Sequence, residues 1–220
     1  VTTAEEIAEI DRIGADAQIG MALYSGRLGL ADGIVAPMVS DRPDGLWPTV
    51  VADGSGRALG LAWSDAESVR EAVRLRRGVY RSRRRGLWVK GETSGDVQDL
   101  LGISLDCDRD ALRFTVRQAG RGFCHEGTWT CWGEDSGVAR LARRLAERAA
   151  SAPAGSYTRR LLDDPGLLRS KLAEEAGELS AARSGEDVAA EAADVIYFPA
   201  VAMVRAGASW RDVEAVLDAR

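Results

Sequence analysis

The sequence predicts an α+β domain followed by an all-α domain. Between residues 41 and 135, short apolar or alternating runs recur between Gly, Asp and Ser turns, with one helical stretch among them. From residue 157 onward, apolar positions recur at helical spacing. Between the two lies Ser151-Ala-Pro-Ala-Gly-Ser156, a stretch of linker composition. The expected parts are an accessory strand–helix segment over 1–40, an α+β domain over 41–135, a helix and linker over 136–155, and a helical domain over 156–220.

In order along the chain, Thr2 or Thr3 starts a helix that carries early glutamates and stops at Gly14. Ala17–Met21 reads as a short strand and 22–39 as a turn leading into a helix. Asp41-Arg42-Pro43-Asp44-Gly45 is turn chemistry and marks a boundary. Leu46–Ala52 and Ala58–Trp63 form a hairpin around Asp53-Gly54-Ser55-Gly56. Ser64 or Asp65 caps a helix that Gly78 closes. Val79–Ser82, Leu87–Lys90, Ile103–Asp108 and Ala111–Gln118 read as strands. Helices follow at Gly137–Ala150, Gly166–Arg183, Asp187–Arg205 (with a kink expected at Pro199) and Ser209–Ala219.

The 220 residues are 45% hydrophobic and 29% charged, an ordinary balance for a globular protein. No apolar run approaches the roughly 20 residues that cross a bilayer, so no membrane partner is expected. The polar, acidic start reads as a helix rather than a signal peptide. Three cysteines cannot all pair, and with a metal they suit a reducing, cytoplasmic setting. The net charge of −5 counts against nucleic acid as the main partner. That charge is uneven. Eight arginines and one acid lie between Arg70 and Arg85, whereas nine acids and three basic residues lie between Asp163 and Asp194. The imbalance suggests two different tasks.

All three cysteines and the one histidine fall within a single stretch: Cys107, Cys124, His125 and Cys131. Three soft ligands with an open fourth position suit a catalytic zinc; the bland alternative is three buried thiols. Asp106, Asp108 and Asp110 alternate. On a strand they share a face, with Cys107 on the other. Grouped carboxylates are costly unless a hard cation such as Mg²⁺ neutralises them. Arg81, Ser82, Arg83 and Lys90, with Arg84 and Arg85, offer donors that match phosphate oxygens. The loop Gly91-Glu92-Thr93-Ser94-Gly95 can turn N–H groups toward an anion. In the helical part, Glu175 and Glu178 share a face, and Glu191 and Asp194 repeat the spacing. Solvated, ion-paired faces are the usual fate of such acids. Here, however, few basic residues stand at partner positions, and Glu191 and Asp194 lie in an otherwise apolar helix.

Tyr80-Arg81-Ser82-Arg83, Leu87-Trp88-Val89-Lys90-Gly91-Glu92-Thr93-Ser94-Gly95, the run Asp106–Leu112, and Cys124-His125 with Cys131 resemble phosphoribosyl-AMP cyclohydrolase of histidine biosynthesis, over about residues 41–134. The resemblance implies Zn²⁺ on Cys107, Cys124 and Cys131 and Mg²⁺ on Asp106, Asp108 and Asp110. It also implies substrate contacts from Arg81, Ser82, Arg83, Lys90, Glu92, Thr93 and Ser94. The family is a homodimer whose zinc site draws cysteines from both subunits. Its reaction opens the adenine ring between N1 and C6, with His125 the candidate for moving protons. The more basic Arg84-Arg85 departs from the expected pattern.

Glu174-Glu175-x-x-Glu178, followed by Glu191-x-x-Asp194 and Tyr197, is similar to phosphoribosyl-ATP pyrophosphatase, an all-α family related to MazG-type nucleotide pyrophosphatases. That similarity covers about 156–220. It implies Mg²⁺ on Glu175, Glu178, Glu191 and Asp194 with Glu174 nearby, catalytic roles for Glu175 and Glu178, and a phosphate contact from Lys171. Phe198 stands where that family often has histidine. Finally, Gly20-Met21-Ala22-Leu23-Tyr24-Ser25-Gly26 resembles the end of the pathway's barrel isomerase, although Met21 replaces the basic residue expected there and a barrel does not fit in 40 residues. The combined expectation is a bifunctional hydrolase acting on phosphoribosyl-ATP and phosphoribosyl-AMP. The alternative is a cyclohydrolase whose degenerate helical domain serves dimerisation.

Overall fold

The computed structural model describes residues 1–220 except Arg83, Glu134 and Ala154. The chain divides into two compact units, Val1–Asp135 and Ser136–Arg220.

The first unit opens with α1 (Ala4–Arg12), whose Thr3 side chain accepts from the Glu6 N–H as an N-cap. Two short helices follow, α2 (Met21–Tyr24) and α3 (Leu30–Val35). The strand expected at Ala17–Met21 does not form. Ala17 and Ile19 instead pack on a small core of Ile7, Ala22 and Leu28, and among the described residues no strand pairs with this segment. The regular structure of this segment is thus helical.

A four-stranded sheet carries the rest. Its strands are β1 (Trp47–Asp53), β2 (Ala58–Ser64), β5 (Gln98–Leu105) and β6 (Leu112–Gln118), in the order β2-β1-β6-β5. Only the central pair β1·β6 is parallel. The helix α4 (Ala66–Leu75) starts at Asp65 in a reciprocal capping box with Ser68. It ends at Arg76 in the left-handed conformation, not at Gly78. Gly78 serves another purpose: a Cβ there would meet the Gln98 Oε1 at 2.2 Å. A two-stranded ribbon, β3 (Val79–Ser82) and β4 (Gly86–Val89), completes the unit.

Val51, Leu59, Val69, Val79, Tyr80, Leu112, Phe114 and Val116 form its core. Burying such side chains contributes roughly 1.5–3 kcal/mol each. A buried polar chain ties ribbon to sheet. Tyr80 Oη donates to Gln98 Oε1 at 2.7 Å, and Gln98 Nε2 donates to Gln118 Oε1 at 2.8 Å. Burial pushes the Tyr80 phenol well up, so it stays a neutral donor.

The second unit is all helical: α5 (Gly137–Ser151), α6 (Tyr157–Asp163), α7 (Pro165–Ala181), α8 (Gly185–Ala206) and α9 (Trp210–Asp218). Leu145 of α5 packs with Leu161, Leu168, Phe198, Ala200 and Val201, so α5 belongs to this core rather than to a linker. α8 runs continuously through Pro199 and closes on Gly207 in the left-handed conformation. Among the described residues, no helix is long and apolar enough to cross a membrane.

Candidate functional site

In the first unit, a cleft of about 980 Å³ opens between β2, the β3–β4 ribbon and the turn that follows β6. Its lining gathers Arg81, Ser82, Lys90, Thr93, Ser94, His125 and Cys131, all anticipated from sequence. Tyr80 and Phe123 stand edge to face at 6.4 Å and support it. Glu92 is exposed and absent from the lining. The 91–95 loop folds on itself through Gly95 N–H to Gly91 O at 2.9 Å, which presents Thr93 and Ser94 instead. Gly91 is required there: its φ is +81°, and a Cβ would meet the Asp96 carbonyl carbon at 2.4 Å.

The basic groups of the cleft differ in how free they are. Arg81 Nε bonds Asp65 at 2.5 Å and its Nη2 bonds Glu67, so its charge is already matched. Arg83 lies outside the described residues. The Arg85 guanidinium stands over the Trp88 ring at 5.6 Å. Lys90 is 4% exposed and has no carboxylate within ion-pair distance among the described residues; its Nζ lies 5.7 Å from the Phe123 ring centre. Burial lowers the Lys90 ammonium, and the Asp96 charge opposes that shift. An ammonium that folding withdraws from water and leaves unpaired has its charge available to an anionic ligand.

The lining also includes Trp88, Asp96, Arg121 and Phe123, none of which was proposed as a site residue from sequence. Asp96 accepts from the Arg121 N–H at 2.9 Å and from its Nη2 at 2.9 Å. Arg121 holds the Asp96 carboxyl far below its usual range. This pair joins residues 25 positions apart, a spacing that no local motif encodes. Trp88 did carry a signal, as a large aromatic between Arg85 and Lys90.

The cysteines do not form one cluster. A tight turn, with Phe123 N–H on Trp129 O and Cys124 N–H on Thr128 O, brings Cys124 beside Cys131. The Cys131 N–H is pinned to Leu59 O at 2.8 Å. A Cβ at Gly60 would meet the Cys131 Sγ at 2.8 Å and Phe123 at 2.2 Å, so only glycine lets the sulfur lie there. The Glu126 N–H holds the Cys124 thiol below its usual range, while partial burial of the sulfur and the Cys124 neighbour push Cys131 up. Cys107 is exposed on the β5–β6 loop, apart from both. β5 ends at Leu105, earlier than expected, so residues 106–110 are loop and not strand.

That loop also corrects the alternation argument for the aspartates. Asp106, Asp108 and Asp110 still bring carboxylate oxygens within 4.8 Å of one another, but through a turn. Desolvation raises the Asp106 carboxyl, yet the Ala111 and Asp110 N–H groups outweigh it and hold Asp106 low. Asp110 is raised, first by its contact with Asp106 and then by the Asp108 charge. Carboxylates that push one another apart in this way are suited to a shared cation.

In the second unit, Glu175, Glu178 and Glu191 place carboxylate oxygens within the same 4.8 Å limit. Asp194 falls outside that set, although its charge acts on both Glu175 and Glu191. Glu174 points elsewhere: Lys171 Nζ grips it at 2.7 Å and stands 3.9 Å from Glu175. Desolvation first, and the Glu178 charge next, raise both Glu175 and Glu191. Folding without a cation therefore favours their protonated forms. That contribution is present below the unfolded carboxylate range and is lost as pH rises through the raised values. In cation-free buffer, the calorimetric transition of this unit is expected to move down as pH rises above the ordinary carboxylate range. Mg²⁺ is expected to restore it mainly at the upper end, where protons no longer compete.

Residues 60–133 match the family described as phosphoribosyl-AMP cyclohydrolase, and residues 138–220 the family described as phosphoribosyl-ATP pyrophosphohydrolase. The chain is 51% identical over 196 residues to the histidine biosynthesis trifunctional protein of Neurospora crassa, covering 89% of this chain and 22% of that protein. It is 49% identical over 192 residues to the bifunctional protein his7 of Schizosaccharomyces pombe, covering 87% of this chain and 46% of that protein. It is 38% identical over 197 residues to the bifunctional protein HisIE of Deinococcus radiodurans, covering 81% of this chain and 89% of that protein. The chain thus spans less than half the length of the fungal relatives it matches.

Proposed function

Because the chain belongs to the family that joins phosphoribosyl-AMP cyclohydrolase to phosphoribosyl-ATP pyrophosphohydrolase, we propose that it carries out two consecutive hydrolyses of histidine biosynthesis. The helical unit, a relative of the MazG-type pyrophosphatases, splits pyrophosphate from phosphoribosyl-ATP. The sheet unit then opens the adenine ring of phosphoribosyl-AMP between N1 and C6. One observation supports this reading: a buried lysine with no carboxylate at ion-pair distance among the described residues, a half-buried tryptophan beside an arginine guanidinium, His125 and Cys131 converge on a single cleft.

Each group has a task. Lys90 receives the substrate phosphate, helped by the Thr93 and Ser94 hydroxyls. Trp88 offers a face on which the purine stacks. His125 moves a proton to or from the opening ring. The Asp96–Arg121 pair holds the 91–96 loop in register.

Zinc fits the donor chemistry of Cys124 and Cys131, which are adjacent and soft, but a single chain supplies only two of the three thiolates. We therefore place Cys107 of a second copy in that set, which makes the active form a homodimer. Bound zinc supplies the acidity that readies water near neutral pH. Mg²⁺ suits the all-oxygen sets Asp106/Asp108/Asp110 and Glu175/Glu178/Glu191, with Asp194 close by. In the helical unit, Glu175 and Glu178 orient the attacking water. Lys171, engaged with Glu174, stands beside Glu175, where it also contacts phosphate. The proposed compartment is the cytoplasm, where free thiols persist.

The purified full chain, given phosphoribosyl-ATP, Zn²⁺ and Mg²⁺, is expected to release pyrophosphate and then the ring-opened product. Absence of both products from folded, metal-loaded protein would refute the proposal. Lys90→Met is expected to raise the KM for phosphoribosyl-AMP by roughly ten- to a hundredfold, the worth of a hydrogen bond to a charged group, with pyrophosphate release unchanged.

A further inference from the structure

Residues 1–40 contribute nothing to the lining of the cleft, yet they grip the acidic loop at two points. Asp11, in the last turn of α1, receives Arg109 through Nε at 3.0 and 3.2 Å and through Nη2 at 2.7 Å. The Nη1 of that guanidinium donates to the Asp106 carbonyl at 2.6 Å. The Val39 N–H donates to the Arg109 carbonyl at 2.9 Å. One residue of the loop is thereby held by side chain and by backbone, from both ends of the N-terminal segment.

Arg109 is a residue that needs holding. Its φ of +65° is one that non-glycine residues adopt at a cost of about 1 kcal/mol. It also stands in sequence between Asp108 and Asp110. A free guanidinium at this position would fold over the neighbouring carboxylates and neutralise them, in competition with any cation. Asp11 engages the guanidinium instead, so Arg109 ties the backbone while the three carboxylates still come within 4.8 Å of one another.

We propose that Asp11 and Arg109 form a brace through which residues 1–40 keep the 106–110 loop open for its cation. Asp11 is then a positioning residue, remote in sequence from the site that it shapes. This rests on the reading that Asp106, Asp108 and Asp110 hold a divalent ion.

The test is Mn²⁺ binding to the zinc-loaded full chain, followed by titration calorimetry without substrate. Asp108→Asn and Glu178→Gln assign the loop and helical classes of binding. Asp11→Asn is expected to weaken the loop class about tenfold, in line with the loss of other groups that orient metal ligands, and to leave the helical class unmoved. Asp11→Glu is expected to recover most of the affinity. Loop binding within about twofold of the parent in Asp11→Asn would overturn the brace and leave the loop site standing. Equal weakening of both classes would reduce Asp11 to a general folding contact and also overturn it. If Asp108→Asn removes no binding class, the loop is not a cation site, and both the brace and the reading beneath it fall.

Discussion

Cys124→Ala is expected to lower ring opening by on the order of 10³-fold or more while pyrophosphate release stays within about twofold. The asymmetry follows from the two-unit architecture: Cys124 lies in the unit Val1–Asp135, and the glutamate cluster lies in Ser136–Arg220. Cys124 is buried beside Cys131, and the Glu126 N–H favours its thiolate. Removing it deletes one of only two sulfurs that this chain brings together. Serine at the same position keeps the volume but not the softness, so zinc content is expected to fall with either substitution. Elemental analysis beside the two activity assays checks this. Full zinc occupancy in Cys124→Ala would remove the thiolate from the metal site altogether.

The second large effect is the reverse. Glu178→Gln is expected to abolish most pyrophosphate release, by at least about 10²-fold, while supplied phosphoribosyl-AMP is still opened. Desolvation first, and the Glu178 charge next, raise Glu175 and Glu191. Neutralising Glu178 removes that charge. The cation-free variant is therefore expected to melt higher than the parent, even as it loses the ion it needs. A gain in stability coupled to a loss of activity is what a strained binding site produces. Retained pyrophosphate release in Glu178→Gln together with Glu175→Gln would rule out this site.

Part of the site could be read directly from local spacing. Glu175 and Glu178 lie one helical turn apart, and the helix that carries them was recognisable from its pattern. The Asp106-x-Asp108-x-Asp110 grouping was also visible, although its cause was mistaken: the chain turns there, and β5 ends at Leu105. Hairpin β1–β2 followed from its Asp-Gly-Ser-Gly turn, and α4 from Asp65 as its cap. The strand expected at 17–21 failed because a strand exists only with a partner, and pairing is not a local property.

By itself the sequence determined the inventory: which ligands exist, which share a helical turn, and where the α+β pattern gives way to helices. Only the tertiary structure decided which of those groups are free to act. It spent Arg81 on Asp65 and Lys171 on Glu174, buried Lys90 in the cleft with no carboxylate at ion-pair distance among the described residues, separated Cys107 from the other two thiols, and swung Arg109 onto Asp11. The physical reason is that periodicity fixes neighbours within a turn or a strand, whereas a charge's partner is set by contacts between residues as far as 98 positions apart, which arise only once the chain has packed.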